Sequence, residues 1–306
     1  MDGIINVFKP AGMTSMNVIS KVRRIIGEKK VGHTGTLDPD VTGVLPIFAG
    51  KATRAIHYVQ NVGKTYEAEL VLGAATTTQD ASGEVLSSMG CTADDEEITS
   101  CIMSFVRSYN QIPPMYSAKK VQGKKLCDLA RKGIEVERKE HPVEIYSIKI
   151  HSIARETTDS MVKVKLSVDC SRGTYIRTLC ADIGEKLACG GYMSWLQRSR
   201  SGTFYISDAV SLEELENAMA SGMTEKVVAK TESAFKDCPT IEFSGIDRVD
   251  LLNGKTLSLS RDRFPGLTEG LTVLYDKDKI FVGLCIVAQS MDDGGFKVKM
   301  ERQFLI

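Results

Sequence analysis

The segment Gly32-His33-Thr34-Gly35-Thr36-Leu37-Asp38-Pro39-Asp40-Val41-Thr42-Gly43-Val44-Leu45-Pro46 carries the densest information in this chain, and it runs on to Gly50-Lys51-Ala52-Thr53-Arg54. Three glycines and two prolines in this span exclude a regular helix and speak against a central strand, which predicts a shaped loop. Asp38 sits at its centre, biased towards extended backbone by Pro39, with no carboxylate nearer than Asp40. Such a loop suits the mounting of a single reactive carboxylate. Asp-Pro also opens ordinary turns, so the dipeptide alone does not separate the two readings.

Outward from this loop, local patterns predict the elements that carry it. Val18, Ile19, Val22, Ile25 and Ile26 fall on one helical face, with Gly27 as the stop, so a helix from Ser15 delivers the chain into the loop. Tyr66, Ala68, Leu70 and Leu72 alternate with Glu67 and Glu69 as in a half-buried strand, with Tyr66 near its start. Asp94, Asp95, Glu96 and Glu97 after Thr92 mark a helix N-terminus, followed by an inner face of Ile98, Cys101, Ile102, Phe105 and Val106. Val162 to Asp169 alternates strictly, Ser171-Arg172-Gly173 breaks the strand, and a helix follows from about Tyr175. Arg177 then lies in a first helical turn, where the dipole disfavours a cation, which predicts an anionic partner. Ser211-Leu212-Glu213-Glu214 is a capping pattern, and from Thr240 the texture changes to short strands, with Asp276-Lys277-Asp278 as a turn.

With 306 residues, 42% of them hydrophobic, the chain can bury a sizeable core and suggests one large and one small domain. No apolar run is long enough to cross a bilayer, and the start lacks the pattern of a signal peptide, so a cytoplasmic protein is expected. The 8 cysteines show no C-x-x-C pair and the 4 histidines no ligand spacing, which reads as reduced thiols and no metal site. There is neither a P-loop nor a G-x-G-x-x-G between strand and helix. Lys and Arg equal Asp and Glu at 39 each, yet cations cluster at Lys21, Arg23, Arg24, Lys29 and Lys30, and again at Lys119, Lys120, Lys124, Lys125, Arg131 and Lys132. Neutral totals therefore leave room for phosphate-binding patches.

The Asp38 segment closely resembles the GHTGTLDPxATGVLP signature of the TruB family of tRNA pseudouridine synthases. The resemblance continues in Lys9-Pro10-Ala11-Gly12-Met13-Thr14-Ser15, Lys64-Thr65-Tyr66-Glu67-Ala68, Pro113-Pro114-Met115-Tyr116-Ser117-Ala118-Lys119, Ser171-Arg172-Gly173-Thr174-Tyr175-Ile176-Arg177 and Leu196-Gln197-Arg198-Ser199-Arg200-Ser201-Gly202. It implies an α+β pseudouridine synthase fold, a mixed and mainly antiparallel sheet flanked by helices. A catalytic domain over 1–236, with an RNA-gripping thumb at 115–141, would precede a small β-rich PUA-like RNA-binding domain over 240–306. The implied activity is isomerisation of uridine 55 in the T-loop of tRNA by base flipping, begun by Asp38, with Tyr66 stacking on the base and Arg177 pairing with Asp38. His33 would fill the space the base leaves, and Tyr175 and Leu196 would line the pocket. Lys9, Lys64 and Arg198 match phosphate or structural contacts, and Asp80 an orienting residue. The family implies no cofactor, no metal, no membrane, no guide RNA and no obligate protein partner, the T-arm of tRNA as ligand, and a monomer. Arg54, Gln197 and the run Thr76-Thr77-Thr78-Gln79-Asp80 depart from the usual pattern. Two rivals are a guide-dependent synthase of the dyskerin class and a non-catalytic protein that assists RNA folding.

Overall fold

The computed structural model describes residues 1–306 apart from 61, 118, 122, 131, 135, 156–159, 265, 290–294 and 305–306. The chain opens with strand β1 (Gly3–Lys9), helix α1 (Ser15–Ile26), β2 (Val31–His33), β3 (Thr42–Ala49) and the short α2 (Ile56–Val59). It continues with β4 (Lys64–Leu72), the hairpin of β5 (Ala74–Thr76) and β6 (Val85–Ser88), α3 (Asp95–Met103) and β7 (Ser108–Gln111). Thr14 caps α1 by accepting from the Asn17 amide, and Gly27 ends it in the left-handed region at φ 64°. Helix α3 is capped by Asp94 and Glu97 in a reciprocal capping box, two residues after Thr92.

The basic insertion contains β8 (Lys120–Val121), β9 (Lys124–Lys125) and α4 (Leu126–Ala130). Within it, Ala118, Gln122, Arg131 and Glu135 lie outside the described residues, as do the side chains of Lys120, Lys124, Lys125 and Cys127. The larger body is completed by β10 (His141–Arg155), β11 (Val162–Cys170), α5 (Ile176–Lys186), β12 (Gly191–Ser201), β13 (Phe204–Tyr205) and α6 (Leu212–Ala220).

These strands form a sheet in the order β1-β3-β12-β4-β11-β10-β7, with β2 also on β3 and β13 also on β12. Every pairing in it is antiparallel except the brief parallel contact of Gln197 and Arg198 with Thr42 and Gly43. Helices α3 and α5 cover β4, β11 and β10 through Ile98, Ile102, Leu179 and Ile183, while α1 and α6 cover β1 and β3 through Val18, Val22 and Leu215. A second sheet of β14 (Thr240–Glu242), β15 (Thr256–Leu259), β16 (Gly270–Tyr275), β17 (Phe281–Gln289) and β18 (Phe296–Gln303), ordered β14-β16-β17-β18-β15, packs with α7 (Gly245–Leu252).

The stretch expected to be all loop divides in two. Residues 34–41 are loop, but Thr42–Ala49 is a strand inside the sheet despite Gly43 and Pro46. Pro46 is tolerated because it faces Asn6 across a pair that exchanges no ladder bonds: the Asn6 carbonyl accepts from Val210 instead. The missing N–H of Pro46 points to the gap where β12 has left β3 and β2 has not begun. Gly43, at φ 111°, lies so close to Arg198 that an added Cβ would sit 2.3 Å from its carbonyl oxygen.

Candidate active site

Asp38 rides on the 34–41 loop, which is tied down from below. Lys9, fully buried, donates from Nζ to the carbonyls of Pro10 (2.9 Å), Pro39 (2.8 Å) and Val41 (2.7 Å). Burial pushes its ammonium down to about 8, and the three carbonyls are its compensation for leaving water. The Ser15 hydroxyl accepts from the Leu37 amide (2.9 Å) and lies 3.1 Å from the Leu37 carbonyl, and the Gly12 amide donates to the Pro39 carbonyl (3.0 Å). The buried Leu37 side chain pegs the loop into the core. Both neighbours of Asp38 are thus fixed, and its carboxylate is presented at the wall of a pocket of about 390 Å³.

Arg177 meets it there. The guanidinium is the second residue of α5 and its side chain is 6% exposed; Nη2 lies 2.9 Å from Oδ2 of Asp38 and Nη1 lies 3.2 Å from Oδ2 of Asp80. Nη2 also donates to the Tyr116 carbonyl (2.8 Å), at the root of the basic insertion. A cation at a helix start is accounted for by two carboxylates. Asp80 is itself set by hydrogen bonds from the Thr78 hydroxyl (2.6 Å) and from the Ser82 amide (3.0 Å) and hydroxyl (2.5 Å). Burial acts to raise the Asp80 carboxyl, but these bonds outweigh it and hold it below the usual carboxylate range. Asp38 goes the other way. Although 46% of its side chain remains accessible through the pocket, desolvation by the walls pushes its carboxyl up, and Arg177 opposes that rise.

The rest of the pocket is built from three strands, β2, β4 and β12, and the start of α5 with the turn before it. Tyr66, near the start of β4, is buried, and burial pushes its phenol up while the neighbouring Arg198 opposes the shift. Arg198 is itself fully buried, donating from Nε to the Val44 carbonyl (2.8 Å) and from Nη2 to the Gly35 carbonyl (3.2 Å). Burial brings the Lys64 ammonium, 5% exposed, down to about 8. His33 accepts from the Gly35 amide through Nδ1 (3.2 Å); burial depresses its pKa, so at neutral pH the ring is uncharged with its proton on Nε2. Tyr175 and Leu196 complete the lining.

The structure therefore brings Asp38, Arg177, Asp80, Tyr66, His33, Tyr175, Leu196, Lys64 and Arg198 to one cavity or its immediate wall. Lys9 stands apart beneath the loop, and its geometry, like that of Arg198, is a structural contact with backbone carbonyls. Ser117, buried at the pocket edge, is a residue the sequence did not single out. Its only signal was its place in the Pro113 to Lys119 block.

Comparison with known proteins follows the same outline. The model of the TruB family pseudouridylate synthase N-terminal domain matches residues 23–176, and that of the tRNA pseudouridylate synthase B C-terminal domain matches 177–236. A protein of Clostridium acetobutylicum named tRNA pseudouridine synthase B is 42% identical over 299 residues, covering 97% of this chain and 98% of that protein. One of Alkaliphilus oremlandii with the same name is 51% identical over 216 residues, covering 71% of this chain and 70% of its own. Among solved structures, a Cbf5-Nop10-Gar1 complex aligns with TM-score 0.73 at 25% identity, covering 99% of this chain and 85% of that one. An H/ACA RNP bound to a substrate RNA containing 2'-deoxyuridine aligns with TM-score 0.74 at 23% identity, over 99% of this chain and 85% of its own, a likeness of fold. With the Asp38 loop, the Arg177 ion pair and two successive family models all agreeing, the chain belongs to the TruB family of pseudouridine synthases.

Proposed function

We propose that this protein isomerises uridine 55 in the T-loop of tRNA to pseudouridine, acting alone on the folded tRNA. The observation that carries the reading is the 2.9 Å ion pair of Asp38 and Arg177 at the wall of a cavity floored by Tyr66. Pseudouridine formation breaks the bond from ribose C1′ to uracil N1, turns the ring and rejoins it through C5, whose proton leaves to water. An ionised carboxylate can open this sequence at C1′, at uracil C6 or at the ribose C2′ proton. In each case it must be charged in a site that excludes water, which is what an adjacent guanidinium makes possible. Arg177 keeps Asp38 ionised, and Asp80 orients Arg177.

A uridine inside a folded loop has to be flipped out at a cost of a few kcal/mol. Stacking on the Tyr66 ring returns about 1–3 kcal/mol, and a cavity near 390 Å³ suits a single nucleoside. Neutral His33 offers a flat polar ring to the gap that the base leaves. Tyr66, whose phenol stays protonated at neutral pH, lies where it can help move the C5 proton in concert with Arg198. Residues 115–141 form the thumb that grips the stem, and 240–306 a PUA-like domain that adds RNA contact. A protein carrying its own thumb has no need of a guide RNA, which favours a stand-alone enzyme over the guide-dependent reading.

The test is to incubate the protein with an unmodified tRNA transcript, without guide RNA, other protein or cofactor, and to map carbodiimide adducts by primer extension. A single stop at uridine 55, absent when that position is cytidine, is expected. Stops elsewhere, or none without added RNA, would refute the assignment.

A further inference from the structure

We propose that Gln111, which lies outside the reaction pocket, is a positioning residue for the reaction: its carboxamide clamps both main-chain polar groups of Tyr175 and thereby aims Tyr175 and Arg177. The proposal rests on the reading of this site as that of a pseudouridine synthase. Gln111 is the last residue of β7, opposite His141 in the ladder, and only 1% exposed. Its Oε1 accepts from the Tyr175 amide (3.0 Å), and its Nε2 donates to the Tyr175 carbonyl (3.2 Å) and to the Tyr109 hydroxyl (2.6 Å). The Tyr109 hydroxyl in turn donates to Oδ2 of Asp182, in the middle of α5 (3.3 Å). Two of the carboxamide's three hydrogen bonds hold the main chain of Tyr175 and the third runs through Tyr109 to α5, and one amide orientation alone matches a main-chain N–H and C=O together.

The clamp acts at a sensitive place. Tyr175 is the N-cap of α5, with φ −99° and ψ 108° and no side-chain cap of its own, so Gln111 substitutes for a capping group and fixes these torsions. Tyr175 contributes its ring to the pocket, and Arg177 follows two residues later with its bond to Asp38. The same stretch of chain returns at Tyr116 to accept from Arg177. Start and end of the Gln111–Tyr116 segment thus splint the first turn of α5. A small rotation about Tyr175 would carry the guanidinium off the Asp38 carboxylate, and misplacements near 1 Å cost on the order of 10²-fold in rate.

Gln111→Glu tests this with almost no change of shape. The ionised carboxylate would confront the Tyr175 carbonyl with a second acceptor, whereas the protonated acid regains one donor and one acceptor for the Tyr175 main chain. Tyr109, Tyr175, Asp182 and His141 are the titratable groups around it, and burial places Asp182 at about 6. Single-turnover tritium release from tRNA carrying 5-tritiated uridine is compared with the unmodified protein from pH 5.5 to 8.5, alongside tRNA affinity and melting temperature. We expect the variant to be slower by about 10²-fold at pH 8, with tRNA affinity unchanged, and its rate relative to the unmodified protein to climb as pH falls. Gln111→Leu is expected to be slow with a flat ratio. Should Gln111→Glu not fold, Tyr109→Phe removes the hydroxyl that joins the carboxamide to Asp182 and leaves both bonds to Tyr175 in place, and a slower rate with intact tRNA binding supports the clamp. An unchanged rate, a ratio for Gln111→Glu that ignores pH, or an equal loss of tRNA binding overturns the proposal. No release by the unmodified protein overturns the reading of the site together with it, whereas normal release by protein and variants alike overturns the role of Gln111 alone.

Discussion

At the residue scale, Asp38 is held between two opposing influences. Pocket walls raise its carboxyl and Arg177 lowers it, so the acid limb of activity reports their balance. The sign is explicit: the ionised form is the active one, its pKa is raised, and activity falls as pH drops through that raised value. Removing the guanidinium by Arg177→Met takes away the main charge opposing desolvation, leaving only the weaker pull of Lys9, and moves the limb to higher pH by about 1–3 pH units. Single-turnover rates between pH 4.5 and 8 check this, and a limb that stays in place contradicts it. That Arg177 needs an anion was legible because a cation in a first helical turn calls for one, but that the anion is Asp38 was legible only through the family resemblance. Asp80 was legible only as an orienting residue, since its hold on Arg177 depends on the turn after β5 meeting β12 at Met193. Gln111 was not legible, because a polar residue ending a short strand reads as surface until α5 covers it.

At the element scale, the loop of residues 34–41 owes its shape to groups distant in sequence. Lys9 and Ser15 hold its carbonyls and amides, and neither glycine nor proline content could announce them. Lys9→Met keeps the bulk, takes a donor from three carbonyls, of which Pro39 retains the Gly12 amide and Val41 is the buried one, and should lower stability by about 1–3 kcal/mol. Urea unfolding measures it. A variant as stable as the unmodified protein would show that the ammonium is not what ties the loop down. Strand β3 was misread for a related reason. Gly43 and Pro46 argue against a strand in isolation, but the sheet leaves an unpaired gap beside Pro46 and brings Arg198 against Gly43. Elements whose pattern is purely local, such as α1, β4, β11 and α5, stood out from periodicity and caps alone.

At the scale of the whole molecule, the C-terminal sheet is seated on the catalytic body. Phe281, Leu284 and Phe304 close over Ile4, Phe48 and Val59, while Tyr58 donates to Glu301 and Arg54 to the Gln303 carbonyl. The change of texture near Thr240 made this second unit visible in sequence, but not the apolar face that joins it to β1 and β3. Removing residues 240–306 uncovers fully buried side chains such as Ile4 and Phe48, each worth about 1.5–3 kcal/mol of burial. The truncated chain should melt at lower temperature and self-associate in scanning calorimetry and light scattering. An unchanged melting temperature would mean that the two units are energetically independent.

The account stands on Asp38 as the one carboxylate that begins the reaction. Its most direct test is single-turnover tritium release from tRNA bearing 5-tritiated uridine, with the unmodified protein and Asp38→Asn, each at concentrations where tRNA binding is saturated. Release by the unmodified protein, and none by an Asp38→Asn variant that binds tRNA equally well, is the predicted result. Release by Asp38→Asn at a rate comparable to the unmodified protein would contradict it.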